Sequence, residues 1–129
     1  MFAVSQATLD DAAQLAELLG ILFAHEVDFV PNFEKQLRAV RAILGPPATG
    51  VFFVARESVP SEPHDPPSSL GPILGTACLL FTISTAAGGP ACLLEDVIVR
   101  LDWRGAGVGS ALLASLLLRA RRTAIRKRF

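Results

Sequence analysis

Residues 94–110 read Leu-Glu-Asp-Val-Ile-Val-Arg-Leu-Asp-Trp-Arg-Gly-Ala-Gly-Val-Gly-Ser. The β-branched run suits a strand. Closely spaced glycines follow it, and the leucines beyond Ser110 recur at helical spacing. The chain therefore passes from a strand through a glycine turn directly into a helix. Such a junction leaves the first amide N–H groups of the helix without intrahelical partners. The helix dipole adds positive potential at the same end. Glycines let a ligand oxygen approach the backbone with no Cβ in the way. Together these properties describe an anion site, and phosphate is the anion they suit best.

The segments before it supply a scaffold. Residues 2–7 alternate apolar and polar and predict a short strand. Thr8 and Asp11 resemble a capping box that opens a helix running to about Ala24, with Leu15, Leu18, Leu19 and Leu22 on one face. Asn32 can cap a second helix, in which Phe33, Leu37, Val40 and Leu44 share a face and Gly45 ends the run. Val51 to Arg56 predicts a strand, and residues 58–72, with five of the nine prolines, a surface loop. Ile73 to Ser84 and Ala91 to Arg100 flank Gly88-Gly89-Pro90 and predict an antiparallel hairpin. The Leu, Val and Ile content of its second strand suggests a central position in the sheet. In the last helix, from about Gly107, Leu112, Leu113, Leu116, Leu117 and Ala120 form the expected buried stripe. The order is βααβββα, an α/β (α+β) class chain, and residues 1–129 form one domain.

Composition narrows the functional classes. Apolar residues make up 51% and charged residues 19%, which describes a globular chain. Twelve basic and twelve acidic residues leave no net charge, which argues against a nucleic-acid partner held by bulk electrostatics. Six of the basic residues crowd into positions 119–128, where a solvated helix end accounts for them better than a phosphate contact does. The two cysteines, Cys78 and Cys92, do not form a metal-type spacing and read as small core residues in a reducing, cytoplasmic setting. No signal-peptide pattern opens the chain, and the uncharged stretch from Pro66 to Leu94 is broken by glycine and proline, so no membrane helix is expected.

Spacing decides which phosphate ligand fits. A Walker loop requires a lysine that is absent here, and a GxGxxG register starting at Gly105 would put its third glycine at Ser110. The pattern Arg/Gln-x-x-Gly-x-Gly/Ala is filled by Arg104-Gly105-Ala106-Gly107-Val108-Gly109. With the preceding LEDVIV and the following GSALLASLLLRA, the segment resembles the pyrophosphate motif of the GNAT superfamily of N-acyltransferases. The βααβββα order is similar to the N-terminal portion of that fold, a mixed, mainly antiparallel sheet with flanking helices.

The resemblance implies acetyl-coenzyme A as co-substrate. Arg104 and the backbone amides of Gly105, Ala106, Gly107, Val108, Gly109 and Ser110 would cradle its pyrophosphate. Main-chain groups of Val97, Ile98 and Val99 would pair with the pantetheine arm, and an N–H near Ile98 or Val99 would polarise the thioester carbonyl. The activity implied is transfer of an acetyl group to a primary amine of a small molecule or a protein. The attacking amine must lose a proton, since amines of the lysine type have a pKa of about 10.4 in water. Glu95 and Asp96 are the candidate acceptors of that proton. Strand alternation puts them on opposite faces, and Glu95 is the favoured one. His25, Glu26 and Asp28 read as solvated loop residues between the first two helices, His64 as idle, and Trp103 as packing beneath the turn.

Two departures stand beside the match. The family continues past the third helix with further strands and a helix, whereas this chain stops at Phe129. The family's later helix often supplies a tyrosine acid, and this sequence has no tyrosine. The C-terminal strands are thus expected to be missing, and a homodimer would follow from the exposed sheet edge. The alternative function is a catalytically inactive fragment that binds coenzyme A or serves as an interaction module.

Overall fold

The computed structural model describes residues 1–24, 32–47, 49–58 and 71–126. Four strands, β1 (Phe2–Gln6), β2 (Gly50–Glu57), β3 (Ile73–Ser84) and β4 (Gly89–Val99), form one sheet in that order. All three pairings are antiparallel, so the described sheet contains no parallel pair. Helices α1 (Ala12–Phe23) and α2 (Phe33–Leu44) cover one face, and α3 (Val108–Arg126) covers the other.

The start of α1 is built by two acidic contacts. The Thr8 N–H donates to one Asp11 carboxylate oxygen at 2.9 Å, as in a capping box. The other oxygen receives the Arg56 guanidinium from β2, a pair whose side chains are only 4% and 13% exposed. Burial of both partners makes this ion pair a fixed joint between helix and sheet, and removing one partner would strand a buried charge. A turn later, the Gln14 side chain accepts the Ile73 N–H at 3.0 Å and ties α1 to β3. In α2 the Asn32 side chain accepts the Lys35 N–H at 3.2 Å, satisfying an otherwise orphaned amide.

Helical and strand periodicities converge on two core layers. Leu15, Leu18, Leu19 and Val40 meet Phe52, Val54 and Cys78 beneath α1 and α2. Val51, Ala55, Ala77 and Leu79 meet Val108, Leu112 and Leu116 beneath α3. Phe52 is fully buried. A side chain of that size contributes roughly 1.5–3 kcal/mol through burial.

Three sequence expectations are corrected. Strand β4 is the edge of the described sheet rather than a central strand. Its apolar content serves the two faces near Ile98, while Leu93 and Leu94 are each 51% exposed. Phe33 and Leu117 leave the buried stripes of their helices, at 46% and 59% exposure. Phe33 sits in the first turn of α2, beyond the sheet, and Leu117 lies on the side of α3 toward the open β4 edge, where no described strand covers it. His25, Glu26, Asp28, His64, Lys127 and Arg128 lie outside the described residues. Among the described residues no helix is long and apolar enough to cross a membrane.

Candidate functional site

The junction between β4 and α3 begins at Arg100, whose N–H donates to the Leu74 carbonyl at 2.8 Å and whose Nε donates to the Ile73 carbonyl at 2.7 Å. A short 3-10 turn, Leu101–Trp103, follows. The Trp103 ring packs with Val99 and Val108 against the α3 layer, as the sequence suggested. Gly105 and Gly107 have φ of 82° and 88°, a region that residues with a Cβ rarely enter.

The amides of this turn are available. Among the described residues, no internal acceptor pairs with the N–H groups of residues 105–110, and the Ala111 N–H, donating to the Gly107 carbonyl at 3.0 Å, opens the helical ladder. A Cβ placed on Gly105 or Gly107 would meet no protein atom within 4 Å, and one on Gly109 would meet only Val99 Cγ2, at 3.8 Å. A depression of about 440 Å³ lies there, lined by Trp103, Arg104, Gly105, Gly107, Val108, Gly109 and Ser110 together with Val99. Ala106 is exposed at the tip of the turn. Unbonded amides, the positive end of a 19-residue helix and an open approach are what a phosphate group requires.

Strand β4 leads from this depression along the free sheet edge. The bond from Arg100 to Leu74 makes that pair, and by alternation the Thr76–Ile98 pair, the ones that exchange main-chain bonds with β3. The main chain of Ile98 is therefore committed to the sheet, which removes it from the set expected to face a ligand. Val99 presents its N–H and carbonyl to the open side, and its carbonyl accepts Arg104 Nε at 3.2 Å.

A β-bulge interrupts the register between Ile98, opposite Thr76, and Glu95, opposite Cys78. The extra residue falls at Asp96 and Val97, and Asp96 adopts φ of 54°. Three residues apart, Glu95 and Ile98 would lie on opposite faces of a regular strand. The bulge puts both on the α1 face, the face of Cys78. Both carboxylates of this segment, Asp96 and Glu95, act on Cys78. Burial first, then Asp96, then Glu95, push its thiol up to about 12.

A buried thiol of this kind stays neutral and unreactive. At about pH 8 an alkylating reagent should leave Cys78 untouched in the folded protein and modify it once denaturant is added. Labelling at the rate of a free thiol before unfolding would contradict this placement. Because the unfolded thiol ionises first, at its ordinary value of 9.0, stability should fall as pH rises from there toward about 12.

On the α1 face a second cavity, of about 480 Å³, is lined by Leu18, Ile21, Ile98, Leu101, Arg100 and Asp102, with Val99 and Arg104. It shares Val99 and Arg104 with the glycine-lined depression, so the two meet across the end of β4. Of the residues named from sequence, the glycine turn and Arg104 line the depression, whereas Glu95 and Asp96 line neither cavity. Sequence reasoning missed Arg100, Leu18 and Ile21, which reach the site only through the packing of α1 beside β4.

No family model matches the chain, and a search of curated proteins finds no match. Solved structures do match. The integron cassette protein HFX_CASS3, from the mobile metagenome of Cole Harbour salt marsh, is 25% identical with a TM-score of 0.75, covering 94% of this chain and 71% of that one. A predicted acetyltransferase from Clostridium acetobutylicum, solved with acetyl-CoA, is 18% identical with a TM-score of 0.73, covering 96% and 76%. An aminoglycoside acetyltransferase from an uncultured soil metagenomic sample, in complex with sisomicin, is 16% identical with a TM-score of 0.65, covering 95% and 71%. Two of these neighbours are acetyltransferases by name, and this chain has the fold of all three. Each of these chains is longer than the part this one matches.

Proposed function

We propose that the chain binds acetyl-coenzyme A at the β4–α3 junction and transfers the acetyl group to a primary amine. The single observation carrying this reading is the row of unbonded amides at residues 105–110, open to a ligand, at the start of α3. These amides with Arg104 would hold the pyrophosphate. The outward N–H and carbonyl of Val99, next to the bulge at Val97, are placed to pair with an amide-bearing arm along the free edge. When bound, the co-substrate supplies an activated acyl thioester, and the protein's part is to orient it and to handle a proton. Glu95 is exposed on the α1 face and is the proposed acceptor of the amine proton, directly or through water. Asp96 is the neighbouring carboxylate held by the bulge. The fold shared with named acetyltransferases supports acyl transfer.

Thermal unfolding with coenzyme A tests the reading. At a hundredfold excess over Kd, binding stabilises the fold by about 2.7 kcal/mol, a rise in Tm on the order of 10 °C. No shift at roughly millimolar coenzyme A would remove the proposal.

A further inference from the structure

Two arginines sit at comparable joints in this fold, and only one has its charge answered. Arg56 donates through Nε to the Gly71 carbonyl at 3.0 Å and through a terminal nitrogen to the buried Asp11 carboxylate. Arg100 repeats the first half, with Nε on the Ile73 carbonyl at 2.7 Å. The second half has no counterpart. Among the described residues the Asp11–Arg56 contact is the only ion pair, and the terminal N–H groups of Arg100 have no acceptor. Arg100 is half-buried, its Nε bond to Ile73 fixes the guanidinium in one orientation, and its terminal N–H groups open to solvent, where an anion can reach them.

The surroundings say where that anion belongs. Arg100 lines the α1-face cavity and takes no part in the glycine-lined depression, so it does not face the proposed pyrophosphate site. The walls beside it are apolar: Leu18, Ile21, Ile98 and Leu101. Ile21 is 43% exposed there. Asp102 is the one carboxylate among the described lining residues, against the two guanidinium groups of Arg100 and Arg104, and lies beyond ion-pair distance of both. A polycationic acceptor such as an aminoglycoside would meet repulsion at such a wall. Glu95 lies on this same face, several residues back along β4, because of the bulge.

We infer that the acceptor is a primary amine at one end of an apolar body with a carboxylate at the other, and that Arg100 binds the carboxylate. This rests on the acetyl-transfer reading for the role of Glu95. The strand rise of about 3.3 Å per residue separates Glu95 from Arg100 by several steps, so amine and carboxylate must be several carbons apart rather than on one carbon. Arg100 is then a specificity residue: it touches the acceptor and leaves the thioester alone.

The test is a calorimetric titration of 6-aminohexanoate, hexylamine and kanamycin into the protein, with and without saturating coenzyme A. Coenzyme A is titrated first, so its failure to bind, which concerns the preceding proposal, is seen separately. The amines still report on Arg100 in that event. The expected result is 6-aminohexanoate bound roughly thirtyfold more tightly than hexylamine, the effect of a charge-assisted bond of about 2 kcal/mol. Arg100→Gln should bring the two amines level while the coenzyme A affinity stays within about twofold. As Arg100→Gln also loses the bond to Ile73, Ile21→Glu provides a second variant. It places a carboxylate in the cavity from an exposed position and should compete 6-aminohexanoate away. Equal or tighter binding of hexylamine or kanamycin overturns the inference. So does absence of 6-aminohexanoate binding at roughly 10 mM. An Arg100→Gln effect confined to coenzyme A also overturns it, and would make a phosphate the missing anion.

Discussion

Gly109→Asp is expected to abolish coenzyme A binding and leave the protein as stable as before, or slightly more so. Gly109 is the second residue of α3, and its backbone is not in the left-handed region. A Cβ there meets only Val99 Cγ2 at 3.8 Å, ordinary contact, so the protein itself accommodates a side chain. Aspartate in the first turn of a helix gains from the dipole, about 0.3–1 kcal/mol. The same carboxylate would occupy the approach to the amides of residues 105–110 and repel a pyrophosphate. The affinity should fall at least about a hundredfold, 2.7 kcal/mol or more. Opposite signs for stability and binding make the variant diagnostic. Gly107→Asp lacks this property, because φ of 88° strains any side chain and mixes folding with binding. Calorimetry and thermal unfolding on one preparation suffice. An unchanged affinity would show that the ligand does not lie on these amides.

Glu95→Gln is expected to lower kcat roughly 10²–10⁴-fold with coenzyme A binding intact, the range seen when a positioned proton acceptor is removed. Glu95 is exposed, so the change should cost little stability. Asp96→Asn is the comparison, since asparagine tolerates the φ of 54° found there and leaves the bulge in place. A large loss in Asp96→Asn with an active Glu95→Gln would transfer the proton to Asp96. Both carboxylates act on Cys78, so the thiol provides a spectator: its slow alkylation should persist in both variants if the bulge is preserved.

The uncovered side of the molecule follows from the strand order. With β4 at the sheet edge, Leu94 from the strand and Leu113 and Leu117 from α3 border an apolar groove of about 210 Å³. Among the described residues, Leu94 and Leu117 are open at this edge. The open edge is also why a leucine stripe read from sequence as wholly buried is covered at Leu112 and Leu116 and open at Leu117.

What the sequence by itself determined is local. Leucine spacing, the Asn32 cap, the Thr8–Asp11 box and the glycines after Arg104 each act within a few residues, and each element forms within a residue or two of where they place it. The glycine turn with its unbonded amides belongs to this group, because backbone amides at a helix start are a property of the junction alone. Tertiary structure decided everything that depends on register and on neighbours. A bulge at Asp96 carries no compositional sign, yet it turns Glu95 and Ile98 to one face. Arg100 reads in sequence as one more strand-end arginine. Only the carbonyl of Ile73, brought by β3, holds it at a cavity that α1 completes from some 80 positions away. Contacts of that range have no period to read, so the cavity at Arg100 became visible only when the chain was folded.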